Sequence, residues 1–192
     1  MSGIVAISGM ELNRHETLEI DLEVIKMSEK KRPKVLYIPT LHDKNLKPYA
    51  DDFKNYFGKH LGCRVNVLEL TSKFMNTKPE EISDEIEIIL HSNIVYIGGD
   101  DAQVFFKLWR KLNIGNFLRI AFNRGIIMCG LNVGGIYWFK LGDPDPKQFH
   151  KASAKSFKVS DRNFLKQILT SHFSKTRDKI PHIKKIIERT SG

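Results

Sequence analysis

Two short stretches of the sequence place glycines and polar residues directly after apolar runs. The first is "GLNVGG", residues 130–135, which follows the apolar run "GIIMCG" and precedes what we predict to be the start of a helix. A strand, a cramped turn between small residues and a helix form a nucleophile elbow, G-x-S-x-G, which exposes a serine hydroxyl on a strained turn. Asn132 stands where that pattern has serine. The sequence therefore has the glycines of a nucleophile elbow but lacks the serine hydroxyl.

The second stretch is "YIGGDDAQ", in which Gly98, Gly99, Asp100 and Asp101 follow another apolar run. A glycine pair at a strand end permits close approach of another backbone and leaves amide N–H groups free. Alone the pattern is weak, because a tight turn without a ligand explains it equally well. Ligands of parallel α/β sheets bind outside the carboxyl ends of the strands. We therefore expect both glycine turns to face one crevice.

The elements that must position these turns follow from hydrophobic periodicity. Short apolar runs alternate with helical patterns, which indicates a three-layer, doubly wound α/β fold: a mainly parallel sheet with helices on both faces. We expect residues 1–192 to form a single domain. The predicted strands are 3–8, 34–40, 64–70, 93–99 and 125–130, and the predicted helices are 46–62, 78–92, 102–113 and 114–125. Beyond Phe139 we expect a long loop or edge excursion, a short strand within 164–174 and a closing helix over 180–192.

Charge is unevenly distributed along the chain. Residues 140–192 carry 13 Lys and Arg against 5 Asp and Glu, whereas residues 1–139 carry 18 against 17. This less regular, basic C-terminal segment fits either a lysine-rich solvated surface or a surface for a polyanion such as nucleic acid. No apolar run reaches the roughly 18 residues of a membrane span, and no basic region precedes the first apolar run. We expect a soluble, cytoplasmic protein without a membrane partner.

The two cysteines, Cys63 and Cys129, show neither the spacing of a metal site nor that of a disulfide framework. We expect both to be small buried side chains, and we predict no metal and no cofactor. Cys129 precedes the elbow, but a buried thiol without a neighbouring cation has little thiolate character. It is therefore a poor substitute for the missing serine.

Taken in order, four blocks of the sequence resemble the dipeptidase E and cyanophycinase group of serine peptidases, which share the fold of class I glutamine amidotransferase domains. The blocks are "GIVAISGMEL", "PKVLYIPT", "YIGGDDAQVFFKLWRKLNI" and "GLNVGGIYWF". They cover most of residues 1–139, and "SHFS" more weakly resembles the histidine block of that group. The resemblance implies amide hydrolysis by acyl transfer: serine attacks, a histidine acts as general base, and an acid orients the histidine. In this chain the corresponding positions are Asn132, His172 and Asp145, with Asp143 close enough to compete with Asp145.

The resemblance also implies an oxyanion hole built from backbone amides, one from Val133 and the other near Gly99 or Asp100. Two departures from the group bear on its activity. The amide nitrogen of Asn132 is delocalised, so a histidine cannot make it attack a carbonyl. Asp100 replaces the third glycine of a triplet and puts a carboxylate beside the developing oxyanion. That repulsion costs on the order of 1 kcal/mol in water at about 4 Å, and several in a drier crevice.

From these features we expect a catalytically impaired or inactive relative of the peptidase, a monomer or homodimer that keeps a cleft for a small peptide or amino-acid-like ligand. One alternative is an active hydrolase with an unrecognised nucleophile. The other is a module whose basic C-terminal segment binds nucleic acid or another polyanion.

Overall fold

Five parallel strands form the central sheet of the computed structural model, which describes residues 3–7, 17–40, 46–99, 103–136, 139–142, 157–158 and 165–168. The strand order is β1-β5-β4-β2-β3, and every neighbouring pair is parallel. The strands are β1 (Ile4–Ile7), β2 (Lys34–Pro39), β3 (Arg64–Val67), β4 (Ile94–Gly99) and β5 (Ile127–Asn132). The predicted parallel sheet is confirmed, and all five predicted strands are present.

Helices cover both faces of this sheet. The α-helices are α1 (Leu18–Met27), α2 (Leu46–Phe53), α3 (Ser83–Glu87), α4 (Gln103–Lys111), α5 (Ile114–Asn123) and α6 (Val133–Ile136). A π-helix (Lys54–His60) continues α2, and 3₁₀ turns at Ser72–Asn76, Pro79–Ile82 and Ile88–His91 precede or follow α3. The predicted three-layer α/β fold is confirmed. Within the part of the chain that the structure describes, no helix combines the length and apolar character needed to cross a membrane.

The alternation of side chains along β4 divides the core in two. Ile94 and Tyr96 join the cluster under α1, α2 and the π-helix, which we call the α1 face. Val95 and Ile97 join the cluster under α3, α4 and α5, which we call the α4 face. All six residues of β4 are buried, because a strand of a covered parallel sheet has apolar layers on both sides.

Aromatic rings fill the α1 face. Phe53 stacks on Tyr37 with ring centroids 4.0 Å apart and on Phe57 at 4.4 Å, and it meets Tyr96 edge-on at 5.3 Å. These stacked and edge-on arrangements are those that the ring quadrupoles favour. The aromatic spacing predicted one continuous helix over 46–62, whereas the structure changes from α to π winding after Phe53.

A carboxylate lies inside this aromatic face. Asp21 of α1 is fully buried and accepts hydrogen bonds from the hydroxyls of Thr17 at 2.6 Å, Tyr56 at 3.1 Å and Tyr96 at 3.3 Å. These three donors come from the start of α1, the π-helix and β4, so Asp21 ties two helices to the centre of the sheet. Helix α1 is an element that the sequence patterns did not predict.

Burial sets the protonation of this cluster. Removal from water raises the pKa of Asp21 from 3.8 to about 6, and the three hydroxyl donors oppose that rise only in part. Burial, reinforced by the carboxylate of Asp21, raises the pKa of the Tyr56 and Tyr96 hydroxyls well above their usual value. The two tyrosines therefore stay protonated and remain donors to Asp21.

Three further strands form a second, small sheet. They are β6 (Phe139–Gly142), β7 (Phe157–Lys158) and β8 (Leu165–Ile168); β6 pairs antiparallel with β7 and parallel with β8. The short strand expected within 164–174 is confirmed by β8. Beyond Phe139, where we expected a long loop or an edge excursion, residues 139–142 and 157–158 pair with each other as strands. The closing helix predicted over 180–192 lies outside the described residues.

Replacement of Asp21 by Asn should change how stability depends on pH. In the folded protein Asp21 keeps its proton up to about pH 6, whereas the unfolded chain releases it near pH 4, so its contribution to stability falls as the pH rises through that window. The parent should lose on the order of 3 kcal/mol of unfolding free energy between pH 4 and pH 7 relative to Asp21→Asn. Urea unfolding of both proteins at the two pH values measures this difference.

The matched control for this experiment is Asp52→Asn, because Asp52 is an exposed aspartate of α2. This variant should keep the pH dependence of the parent. An Asp21→Asn protein whose stability changes with pH as the parent's does would show that Asp21 does not titrate in this window.

Candidate functional site

The ends of β4 and β5 bring the two glycine turns together. In the parallel ladder Gly98 is the partner of Leu131, and Gly99 is the partner of Asn132. Asn132 is the last residue of β5, and α6 begins at Val133. Neighbouring strands lie about 4.8 Å apart, so the backbones of both stretches form one continuous edge. The backbone of Asn132 therefore lies at the junction of a strand and a helix, as expected.

The turn after β4 depends on glycine. Gly99 has a φ of +140°, a value that side chains with a Cβ rarely adopt. A Cβ at Gly99 would also lie 2.5 Å from the carbonyl oxygen of Thr40 and 2.8 Å from its hydroxyl oxygen. Conformation and space therefore both exclude any other residue at this point.

Two hydrogen bonds hold the preceding residue in place. The carbonyl of Gly98 accepts the backbone N–H of Thr40 at 2.8 Å and the hydroxyl of Tyr37 at 3.1 Å. Both donors come from the β2 segment, on the opposite side of β4 from β5. The glycine turn is thus fixed from β2, and Thr40 lies at the same edge as Gly99 and Asn132. The sequence motifs did not point to Thr40.

The glycines after β5 allow α6 to lie on the sheet. A Cβ at Gly134 would overlap the carbonyl oxygen of Ile97 in β4, and one at Gly130 would overlap the carbonyl of Gly134. A Cβ at Gly135 would come within 3.3 Å of the carbonyl oxygen of Ile7 in β1. Helix α6 therefore contacts the backbones of three strands, and this close packing fixes the direction in which the chain leaves Asn132.

The remaining predicted site residues are Asp100, Asp101, Asp143, Asp145 and His172, and all of them lie outside the described residues. Their roles, and those assigned to Asn132 and Val133, stay predictions. The described part of the edge contributes main-chain groups and a threonine hydroxyl. Amide groups at such a turn are suited to holding a ligand oxygen or a developing negative charge.

The cysteines behave as expected from the sequence. Both are free and buried. Burial raises the pKa of the Cys129 thiol well above its usual value, and the carboxylate of Asp21 raises it further. Cys129 therefore has little thiolate character at neutral pH and is a poor nucleophile.

A groove of about 480 Å³ lies beside the edge strand β3, away from the glycine turns. Its floor is apolar, with Leu68 and Ile82 buried. The acidic residues that line it are Glu69, Asp84, Glu85 and Glu87. Such a lining repels polyanions; the nucleic-acid alternative concerns the basic segment 140–192 and stays a prediction.

The structure defines a three-layer α/β protein in which glycines lie at or just after the ends of β4 and β5. The sequence assigns the chain to a family of such proteins. Residues 4–192 match the profile of Peptidase family S51, and the chain belongs to this family. A curated relative, described as the uncharacterized peptidase YgaJ of Bacillus subtilis (strain 168), is 21% identical over 188 residues, covering 97% of this chain and 75% of the relative.

Solved structures support the fold. A putative peptidase E protein from Listeria monocytogenes EGD-e superposes with a TM-score of 0.56 at 14% identity, covering 86% of this chain and 76% of its own. A peptidase from an acI-B1 Actinobacterium superposes with a TM-score of 0.55 at 17% identity over 73% of this chain. The present chain spans only 57% of the length of that actinobacterial protein. At these identities the superpositions establish the fold.

Replacement of Gly134 by Ala should destabilise the protein, because the added methyl group would overlap the backbone carbonyl of Ile97, which no rotamer change relieves. We expect a loss of about 1–3 kcal/mol or more in unfolding free energy. Gly58→Ala is the matched control, since a Cβ there meets only a Val65 methyl group at 3.7 Å, and it should change stability by less than about 1 kcal/mol. Urea unfolding measures both effects; equal stabilities of the two variants would contradict the close packing of α6.

Proposed function

We propose that this protein is a dipeptidase E-like member of its family whose hydrolytic activity is impaired or lost, and whose cleft binds a small peptide or amino-acid-like ligand. The observation that carries the proposal is the position of Asn132. It ends β5 directly before α6 and is paired with Gly99 across the ladder. This is the position from which an elbow serine would attack.

The chemistry of the asparagine side chain supports the loss of activity. A serine hydroxyl becomes a nucleophile when a neighbouring base takes its proton. The carboxamide nitrogen of Asn132 shares its lone pair with the adjacent carbonyl, and no histidine is basic enough to activate it. With asparagine at this position, the acyl-transfer step has no attacking group.

The residue after Gly99 adds to this effect. Asp100 directly follows the glycine whose positive φ shapes the turn. A carboxylate near the developing oxyanion opposes the charge that an oxyanion hole is built to stabilise. Restoring the nucleophile alone should therefore restore little activity.

The ligand that this proposal assigns is an aspartyl peptide or an amino acid of similar chemistry, bound over the glycine turns. Cys129 is excluded as a nucleophile by its burial. The alternative of an active hydrolase therefore requires a nucleophile from another part of the chain.

The proposal predicts the activities of four proteins against a chromogenic aspartyl amide: the parent, Asn132→Ser, Asp100→Gly and the double variant. The parent and Asp100→Gly should not exceed the uncatalysed rate, and Asn132→Ser should show little or none. The double variant should be faster than either single variant, because it removes a charge that opposes the oxyanion, and losing even one good oxyanion donor already costs about a hundredfold or more in rate. Release of the chromophore measures each rate.

The control variant adds His172→Ala to the double variant and should abolish the gained activity. High activity of the unmodified protein, lost in His172→Ala, would overturn the proposal of an impaired enzyme. An inactive double variant with unchanged stability would contradict the assignment of His172 and Asp145 as the partners of position 132.

A further inference from the structure

Thr40 carries a buried hydroxyl that forms no hydrogen bond within the described part of the chain. It directly follows β2, and its fractional exposure is 0%. Its backbone N–H donates to the carbonyl of Gly98, but its Oγ1 atom has no hydrogen-bond partner among the residues that the structure describes. Nearly all buried hydroxyls in proteins are paired, so an exception requires an explanation such as a catalytic or ligand-binding role.

The carbonyl of Gly98 is already occupied by two donors. A carbonyl oxygen has two lone pairs, and that of Gly98 accepts both the N–H of Thr40 and the hydroxyl of Tyr37. The Oγ1 atom of Thr40 instead lies against Gly99, where an added Cβ would be 2.8 Å from it. The unpaired hydroxyl therefore lies beside the turn after β4.

The ends of β2 and β4 form a topological switch point of the sheet. β2 and β4 are neighbours in the sheet, but the chain leaves β2 towards the α1 face and leaves β4 towards the α4 face. Connections that diverge to opposite faces open a crevice between the strand ends, and ligands of doubly wound proteins bind there. Thr40 follows one of these two strands, and Gly99 ends the other.

We propose that Thr40 is a ligand-positioning residue whose Oγ1–H donates a hydrogen bond to an oxygen of the ligand bound over the Gly98–Gly99 turn. This inference rests on the function proposed above and adds a residue that determines ligand specificity. The oxygen is either a carboxylate or an amide carbonyl of the aspartyl ligand. Because Thr40 is buried, a ligand lacking that oxygen would leave the hydroxyl unpaired and would be bound less tightly.

The test compares Thr40→Val, which replaces the hydroxyl with a methyl group of similar size, with Thr40→Ser, which keeps the hydroxyl. The probe is aspartyl p-nitroanilide, and its binding is measured by isothermal titration calorimetry. Thr40→Val should weaken binding about tenfold, the effect of one lost hydrogen bond in a buried site. Thr40→Ser should bind as the parent does, within about threefold.

Thr71 provides a matched control, since its hydroxyl is the other buried one without a partner among the described residues and it lies beyond the edge strand β3. Thr71→Val should leave binding unchanged. Alanyl p-nitroanilide identifies the ligand oxygen. If Thr40→Val also binds this probe more weakly than the parent does, the ligand oxygen is the amide carbonyl. If its binding is weaker only for the aspartyl probe, the ligand oxygen is the side-chain carboxylate.

Thermal unfolding without ligand separates ligand positioning from a structural role. Thr40→Val should unfold at the same temperature as the parent or higher, because it removes an unpaired polar group from the interior. A lower unfolding temperature would mean that the hydroxyl has a structural partner and would overturn the inference. Equal binding by the parent and Thr40→Val would overturn the inference alone, whereas no binding by the parent would overturn the proposed ligand as well.

Discussion

Helix α6 lies so close to the sheet that Gly134 meets the carbonyl oxygen of Ile97 with no space for a Cβ. This contact between backbones sets the exit of the chain from β5. It also brings Gly130 and Gly134 together and holds α6 within reach of β1. The geometry of the glycine-lined edge therefore depends on atoms that every residue has, with hydrogen as the only side chain that fits.

The same contact explains why glycines stand on both sides of Asn132. Gly130 and Gly134 are required by the packing of α6, whatever residue stands between them at position 132. A mutation that removed a serine would leave the packing intact, whereas a mutation of either glycine would push α6 off the sheet. The glycine spacing is thus a signature of the fold, and the residue between the glycines carries the information about chemistry.

The sequence predicted the parallel sheet well because its inner strands, such as β2 and β4, are largely apolar runs buried on both faces. It did not reveal α1, since the buried Asp21 interrupts the apolar stripe and reads as a solvent-exposed position. Two of the three hydroxyls that pair with it in the interior, those of Tyr56 and Tyr96, lie 35 and 75 positions away. A pattern of neighbouring residues contains no information about partners so far away in the sequence.

The limits of β5 were missed for a related reason. The predicted strand ended at Gly130, because glycine and asparagine are poor strand formers, whereas the strand continues to Asn132 through its pairing with Gly98 and Gly99. No sequence motif pointed to Thr40 either. A threonine after a strand is an ordinary residue until the carbonyl of Gly98 is found to accept both the backbone N–H of Thr40 and the hydroxyl of Tyr37, which leaves the threonine hydroxyl without a place there.

All six residues of strand β4 are buried, and the strand ends at Gly99. It is paired on both sides, with β2 and with β5, and the hydroxyl of Tyr96 joins it to Asp21 of α1. Amide protons in such a strand exchange with solvent only when the whole sheet opens, so they report the global free energy of unfolding. The candidate site is therefore attached to a fully buried central strand, and a ligand bound there would meet Gly98 and Gly99, whose backbone is already held by hydrogen bonds from the β2 segment.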